Sequence, residues 1–269
     1  MQTVALGAVA GLTIFLGLPM GRMRARARPT KTFLNGFSAG ILVFLFFDIV
    51  QNAVAPLEDA VKGSDWSRVA GLGALFAAGL AVGLLGLLYV SRLWRLRTVK
   101  ASLGPGAMAV AEAHTPLQQE ALRVGMSIAV GIGLHNFSEG LAIGQSAHTG
   151  ETSLALLLVI GFGLHNATEG FGIVGPLMAA DIRPTWGWLI LAGVIGGGPT
   201  FLGTLLGTSV TSTYVFVAFL ALAAGAILYV LGELFAAGRK LSWEISLWGI
   251  LLGFLVGLAT DMILVGAGV

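Results

Sequence analysis

Runs of about twenty predominantly apolar residues, the length a helix needs to cross the hydrocarbon core of a bilayer, recur along almost the whole chain. They fall at about 2–20, 33–55, 69–91, 119–147, 152–179, 186–208, 213–237 and 244–268. The composition agrees: 56% hydrophobic and 10% charged residues, with a mean hydropathy of +0.90, are far outside the range of ordinary soluble domains. The expectation is an all-α integral membrane protein of eight transmembrane helices, forming a single transmembrane domain over residues 1–269. The first run resembles a signal peptide in length, but its basic residues follow the apolar segment instead of preceding it, so it reads as a retained helix. Forty glycines without a low-complexity tract point to closely packed helices, because small residues let backbones approach in lipid. There is no cysteine, and therefore no disulfide framework or thiolate site.

The pI near 9.2 does not point to nucleic acid, because the positive charge is concentrated in the connections. Arg22, Arg24, Arg26, Arg28 and Lys31 follow the first run, and Arg92, Arg95, Arg97, Lys100 and Arg123 lie between the third and fourth. Arg183 separates the fifth and sixth, and Arg239 with Lys240 the seventh and eighth. Lys62 and Arg68 share their connection with Glu58, Asp59 and Asp65. The positive-inside rule then places both termini outside the cytoplasm. The stretch 97–118 is the longest polar connection; Gly104, Pro105, Gly106 and Pro116 make it a flexible cytoplasmic loop, and its His114 reads as a solvated side chain.

Within the apolar runs one polar pattern occurs twice. G-I-G-L-H-N-F-S-E-G at 131–140 recurs as G-F-G-L-H-N-A-T-E-G at 161–170, so His135 with Glu139, and His165 with Glu169, are spaced to share one helix face. Ionisable groups in a membrane are costly and usually mark an ion pathway or a proton relay. Shared packing explains repeated glycines and leucines, but not two retained carboxylates. Two imidazoles and two carboxylates without sulfur suit Zn²⁺ and other first-row divalent ions such as Fe²⁺, Mn²⁺ or Co²⁺. Asn136 and Asn166, one residue on from each His, offer either carbonyl oxygens to the ion and its waters or hydrogen bonds between helices. Ser138 and Thr168 are candidates for helix bending through a bond to an earlier carbonyl, and Pro176 and Pro199 for kinking or loosening their helices. The G-x-x-x-G spacings of Gly140 with Gly144 and Gly203 with Gly207 read as packing contacts. Asp48, Gln51, Asn52, Glu233 and Asp261 complete the polar set near span centres.

Eight spans, extracytoplasmic termini and H-N-x-x-E-G on the fourth and fifth spans resemble the ZIP (Zrt/Irt-like) family of divalent metal transporters, over essentially the whole chain. The resemblance implies two helix bundles, with the fourth and fifth spans lining the path, and uptake of Zn²⁺ or a related ion such as Cd²⁺ toward the cytoplasm. By position, His135, Glu139, His165 and Glu169 match the family's primary ligands, and Asn136 and Asn166 its neighbouring second-site positions. The family commonly has Pro before the motif Glu, where Ser138 and Thr168 stand here. Gly198 stands where many members carry a Glu before the proline of the sixth span, which favours one principal metal. Asp48 occupies the place of a His on the second span, and Gly232-Glu233 that of a His-Glu pair on the seventh, making both candidates for a pathway relay together with Asp261. The short loop and missing His run look prokaryotic, which implies the cytoplasmic (inner) membrane; a homodimer follows by family analogy.

The resulting expectation is alternating access, with the metal as substrate, no prosthetic group and no nucleic-acid partner. Release is eased if ligands take up protons as the metal leaves. An intramembrane metalloenzyme is the first rival, but the chain has no H-E-x-x-H and no nucleophile with a base. An exporter of the same ions is the second.

Overall fold

The computed structural model describes residues 2–23, 28–101, 116–148, 152–209 and 212–266, and among these there are helices and no strands. Helix α1 (Gln2–Leu12) breaks at Thr13 and continues as a short helical turn, Ile14–Gly17, and a 3₁₀ turn, Leu18–Arg22. The remaining helices are α2 (Arg28–Lys62), α3 (Trp66–Ala101), α4 (Pro116–His148), α5 (Thr152–Ala179), α6 (Trp186–Gly207), α7 (Thr213–Leu241) and α8 (Trp243–Gly266). Six of them, all but α4 and α5, are long and apolar enough by their described residues to cross a membrane. Several overrun the apolar runs. Helix α3 continues to Ala101, past the expected start of the polar loop, while residues 102–115, with His114, lie outside the described residues.

Local chemistry sets the helix ends. Asp65 accepts from the Arg68 amide at 3.0 Å and from the Ser67 hydroxyl at 2.9 Å, capping α3. Thr185 and Ser212 cap α6 and α7 in the same way. Asp181 ends the α5 turn with φ +60°, a left-handed conformation that Asp tolerates better than most residues, and pairs with Lys31 of α2 at 3.2 Å.

Glycines sort the helices into two bundles. Within α1, α4, α5 and α6, a Cβ placed on Gly140, Gly203, Gly170 or Gly17 would fall inside the backbone oxygens of Thr200, Phe137, Ile14 or Ala167, closer than any real Cβ contact. Gly144 and Gly207 extend the same α4–α6 seam, so both G-x-x-x-G pairs are packing contacts. In the second bundle, Gly36, Gly40, Gly249 and Gly253 press α2 against α8, and Gly83 and Gly225 press α3 against α7. Between the bundles the contacts are made by side chains. Phe37 meets Phe171 edge-on at 5.3 Å between α2 and α5, and Phe137 stacks on Phe219 at 4.0 Å between α4 and α7. The periphery belongs to α3 and α8, whose apolar windows are only 17% and 28% buried, leaving Val82, Leu85 and Leu251 exposed toward lipid.

Helices α1 and α6 are structural counterparts. Gly11 faces the Gly197 oxygen, and Gly197 faces the Gly11 oxygen, so the crossing is reciprocal. The pattern G-x-x-x-G-x-x-x-F-L-G-x-x-x-G at 7–21 recurs at 193–207, 186 positions on. Thr13, where α1 breaks, therefore corresponds to Pro199, which lies inside α6 and denies the Ile195 carbonyl its usual donor. That carbonyl lies against Gly133 of α4.

Candidate metal site

The duplicated motif stands near the middle of α4 and α5. His135 and Glu139 are one turn apart on α4, and the His135 Nε2 lies 3.2 Å from Glu139 Oε1. The same nitrogen lies 4.0 Å from Oε1 of Glu169 on α5. The imidazole thus stands against carboxylates from two helices, and all three residues are buried. His165 lies on the helical backbone of α5, but its side chain is outside the described residues. Among the described side chains no group of three or more His, Asp or Glu is set in a ligating array. Imidazole and carboxylate instead approach one another, which limits the cost of burying them.

The asparagines point to neighbouring helices. Asn136 Nδ2 donates to Glu169 Oε2 at 3.2 Å and to the Gly196 carbonyl at 3.0 Å. Asn166 Nδ2 donates to the Ala10 carbonyl at 3.0 Å, the same oxygen that accepts from the Thr13 hydroxyl at the α1 break. Both asparagines are fully buried.

Other expected positions separate into two regions. Half-buried Asp48 on α2 is an electrostatic neighbour of both His135 and Asp261, and it accepts from Asn52 at 3.0 Å. Glu233 lies elsewhere, accepting from the Tyr229 hydroxyl at 3.0 Å. It lines a cavity of about 410 Å³ between the ends of α2, α4, α5 and α7 that carry the basic connections, together with Asn35, Glu120, Pro176 and Lys240. Glu120 has no sequence signal of its own; only the convergence of four helix ends brings it there.

Two expectations change. The Ser138 hydroxyl has no hydrogen-bond partner among the described residues, so it does not bond back to an earlier carbonyl, and α4 runs on through it. A Cβ on Gly198 would meet no other helix within 4 Å, only Val194 of its own, so this position faces away from α4 and α5. It is Gly196 that α6 presents to the motif, through its carbonyl oxygen. Sequence reasoning missed this atom because a backbone acceptor carries no residue signature; Pro199 nearby is the sole hint.

Residues 96–260 match the ZIP Zinc transporter family profile. A zinc transporter ZupT of Streptococcus mutans is 27% identical over 262 residues, covering 93% of this chain and 93% of that protein. A zinc transporter ZupT of Corynebacterium glutamicum is 33% identical over 208 residues, covering 73% and 75%. These are transporters and not enzymes, which sets aside the metalloenzyme reading. With its apolar helices and duplicated H-N-x-x-E-G, the chain is a multi-pass membrane protein of the ZIP zinc transporter family.

Proposed function

We propose that the protein carries divalent metal ions, Zn²⁺ foremost, into the cytoplasm by alternating access, binding them at His135, Glu139, His165 and Glu169. The observation that carries this reading is the meeting of α4 and α5 donors in a buried place: His135 faces a carboxylate of its own helix and one of the neighbouring helix. Two carboxylates balance the charge of a divalent ion, so the loaded site is close to neutral in a low-dielectric surround. The four ligand types suit zinc, and the relatives named as zinc transporters agree with that choice.

In the same reading both termini face away from the cytoplasm, because the basic connections share one side. Asp48 and Asp261 then serve the approach to the site. The cavity holding Glu233 opens on the cytoplasmic side and receives the departing ion. Metal and proton compete for the same lone pairs, so protonation of the ligands favours release.

Zinc uptake into proteoliposomes, followed with an internal zinc-sensitive dye, tests the assignment. The E139A/E169A double variant is expected to lose uptake, while its reconstitution level matches the parent. Unchanged uptake in that variant would refute the site.

A further inference from the structure

The bundles are fastened differently within and between. Within each, the tight glycines lie against backbone, as Gly140 does against the Thr200 oxygen and Gly40 against the Ile250 oxygen. Between them, glycines face side chains, and most have room. A Cβ on Gly131 of α4 would stand 3.4 Å from Ala226 and Ile227, and one on Gly172 of α5 would stand 4.0 Å from Leu42. Gly175 of α5 is the exception. A Cβ there would overlap the Ser38 hydroxyl of α2 and lie 2.8 Å from the Ser38 Cβ, closer than real side chains come. The Leu34 carbonyl, next nearest at 3.5 Å, is at an ordinary distance. Gly175 is therefore a notch that one side chain fills.

That side chain is fully buried, and its hydroxyl has no hydrogen-bond partner among the described residues. Shape holds Ser38 in the notch, and no bond is lost when it leaves. The seam continues in an antiparallel register on either side. Toward the end of α5, Lys31 pairs with Asp181 at 3.2 Å. In the other direction Phe37 meets Phe171, and Leu42 faces Gly172. Asn35 of α2 and Pro176 of α5, next along the same seam, line the cavity that holds Glu233. The cavity thus belongs to the register in which Ser38 meets Gly175.

We propose that Ser38 seated against Gly175 is a latch between the bundles, which holds the conformation with the Glu233 cavity open and must leave its notch before the bundles move. This rests on the alternating access proposed above. The Lys31–Asp181 pair is a secondary fastening. Its side chains are 24% and 53% exposed, so it biases the balance by at most about fivefold. A Cβ at 175 acts on the register and not on the helix, because α5 is helical in either conformation and the propensity gain of alanine cancels. What remains is overpacking, equivalent to a shift of about 5–150-fold away from the cavity-open conformation. Because the overlap is with a side chain, removing that side chain relieves it. The seams within the bundles admit no such rescue, since their partner atoms are backbone.

The chain has no cysteine, so A237C alone reports on the cavity that Ala237 lines. Maleimide labelling of this cysteine is timed in the full-length protein in lipid discs, where both faces are accessible, with and without S38G, G175A and S38G/G175A. G175A is expected to slow labelling about fivefold or more. The double variant moves the filling side chain from α2 to α5 and should label within about twofold of the parent. Labelling of G175A at the parent rate, or a slowing that S38G does not relieve, would overturn the proposal. Should G175A not fold, S38G decides: its emptied notch lacks about one methylene and should slow labelling about fourfold, and an unchanged rate would overturn the latch. A second measurement separates the latch from the reading beneath it. K31C/D181C joined by a reducible methanethiosulfonate linker should stop zinc uptake into proteoliposomes and regain it on reduction. Uptake that survives complete cross-linking would overturn alternating access and the latch with it. Blocked uptake together with unchanged labelling in G175A would overturn the latch alone.

Discussion

Replacing Gly197 with Ala tests whether the reciprocal crossing of α1 and α6 supports both the fold and the site. A Cβ at 197 would fall inside the Gly11 carbonyl oxygen, and this neighbour is backbone, so no rotamer change relieves the overlap. The helices must part by on the order of 1 Å to restore an ordinary contact. Forced overpacking of this kind costs about 1–3 kcal/mol. The crossing is one edge of a closed ring: α1 is tied to α5 through Asn166, α5 to α4 through Glu169 and Asn136, and α4 to α6 through Asn136. Parting one edge lengthens another, and a lost interhelical bond in a membrane adds about 0.6 kcal/mol. Against this stands a helix-propensity gain of about 1 kcal/mol for Gly→Ala. The net expectation is a loss of roughly 1–2 kcal/mol. Gly232, in the interior of α7, has nothing within 4 Å of a Cβ, so G232A keeps the propensity gain without the overlap. Reversible unfolding of both variants in the same lipid discs, with cadmium titration alongside, measures the contrast. G197A should be the less stable of the two and bind metal more weakly than the parent. If the two variants agreed in stability to within about 0.5 kcal/mol, the crossing would carry no special load.

Two further outcomes are expected. Hydrogen bonds from the Arg68 amide, and then from Ser67, hold the exposed Asp65 carboxyl below its ordinary value of 3.8. A depressed folded value contributes stability that is present above the unfolded value and fades as pH falls through the folded one. Protection of the Arg68 amide, measured against its intrinsic exchange rate, should therefore fall below about pH 4 in the parent and lose that pH step in D65N. Because the chain lacks cysteine, D59C at the end of α2 and E244C at the start of α8 report orientation cleanly. An impermeant maleimide added to intact cells should label D59C and leave E244C unlabelled, and the reverse pattern would invert the proposed topology.

The fold class was legible because lipid makes an apolar run of sufficient length hard to mistake for anything else. The motif was legible because Glu139 and Glu169 are costly where they stand, so their repetition demands a reason. The amide directions of Asn136 and Asn166 were not legible. Asn carries both donor and acceptor, and which end faces the site depends on a carbonyl contributed by another helix. The break at Thr13 was hidden for a related reason, since Thr is an ordinary helix residue and only its correspondence to Pro199 gives it meaning. Gly198 was misjudged because its place beside Pro199 says nothing about which face of α6 it occupies. The kinship of α1 and α6 rests on glycines and a Phe-Leu pair that look like generic packing until their partners are known.

The same glycines bear on how the proposed site would be carried between two sides of a membrane. Backbone pressed against backbone, as at Gly140 with Thr200 or Gly17 with Ala167, admits little sliding, because any shift drives main-chain atoms into one another. Under the proposed alternating access, the ring of α1, α4, α5 and α6 would therefore move as a unit, keeping His135, Glu139 and Glu169 together. The interface with the other bundle is built from Phe37, Phe171, Phe137, Phe219 and the Leu42 side chain over Gly172. Side chains can exchange rotamers and neighbours while helices slide past, so under the proposed mechanism this interface would be the one to yield, with the close approach of Ser38 to Gly175 as its tightest point. Asp48 and Asp261 stand on α2 and α8, outside the ring, whereas Glu139 and Glu169 stand within it. Under alternating access, the approach residues would then stay with one bundle while the ligands travel with the other. Under that reading the Asn136 bond to Glu169 lies wholly inside the unit that would move, and the relative positions of His135, Glu139 and Glu169 would be kept through the step.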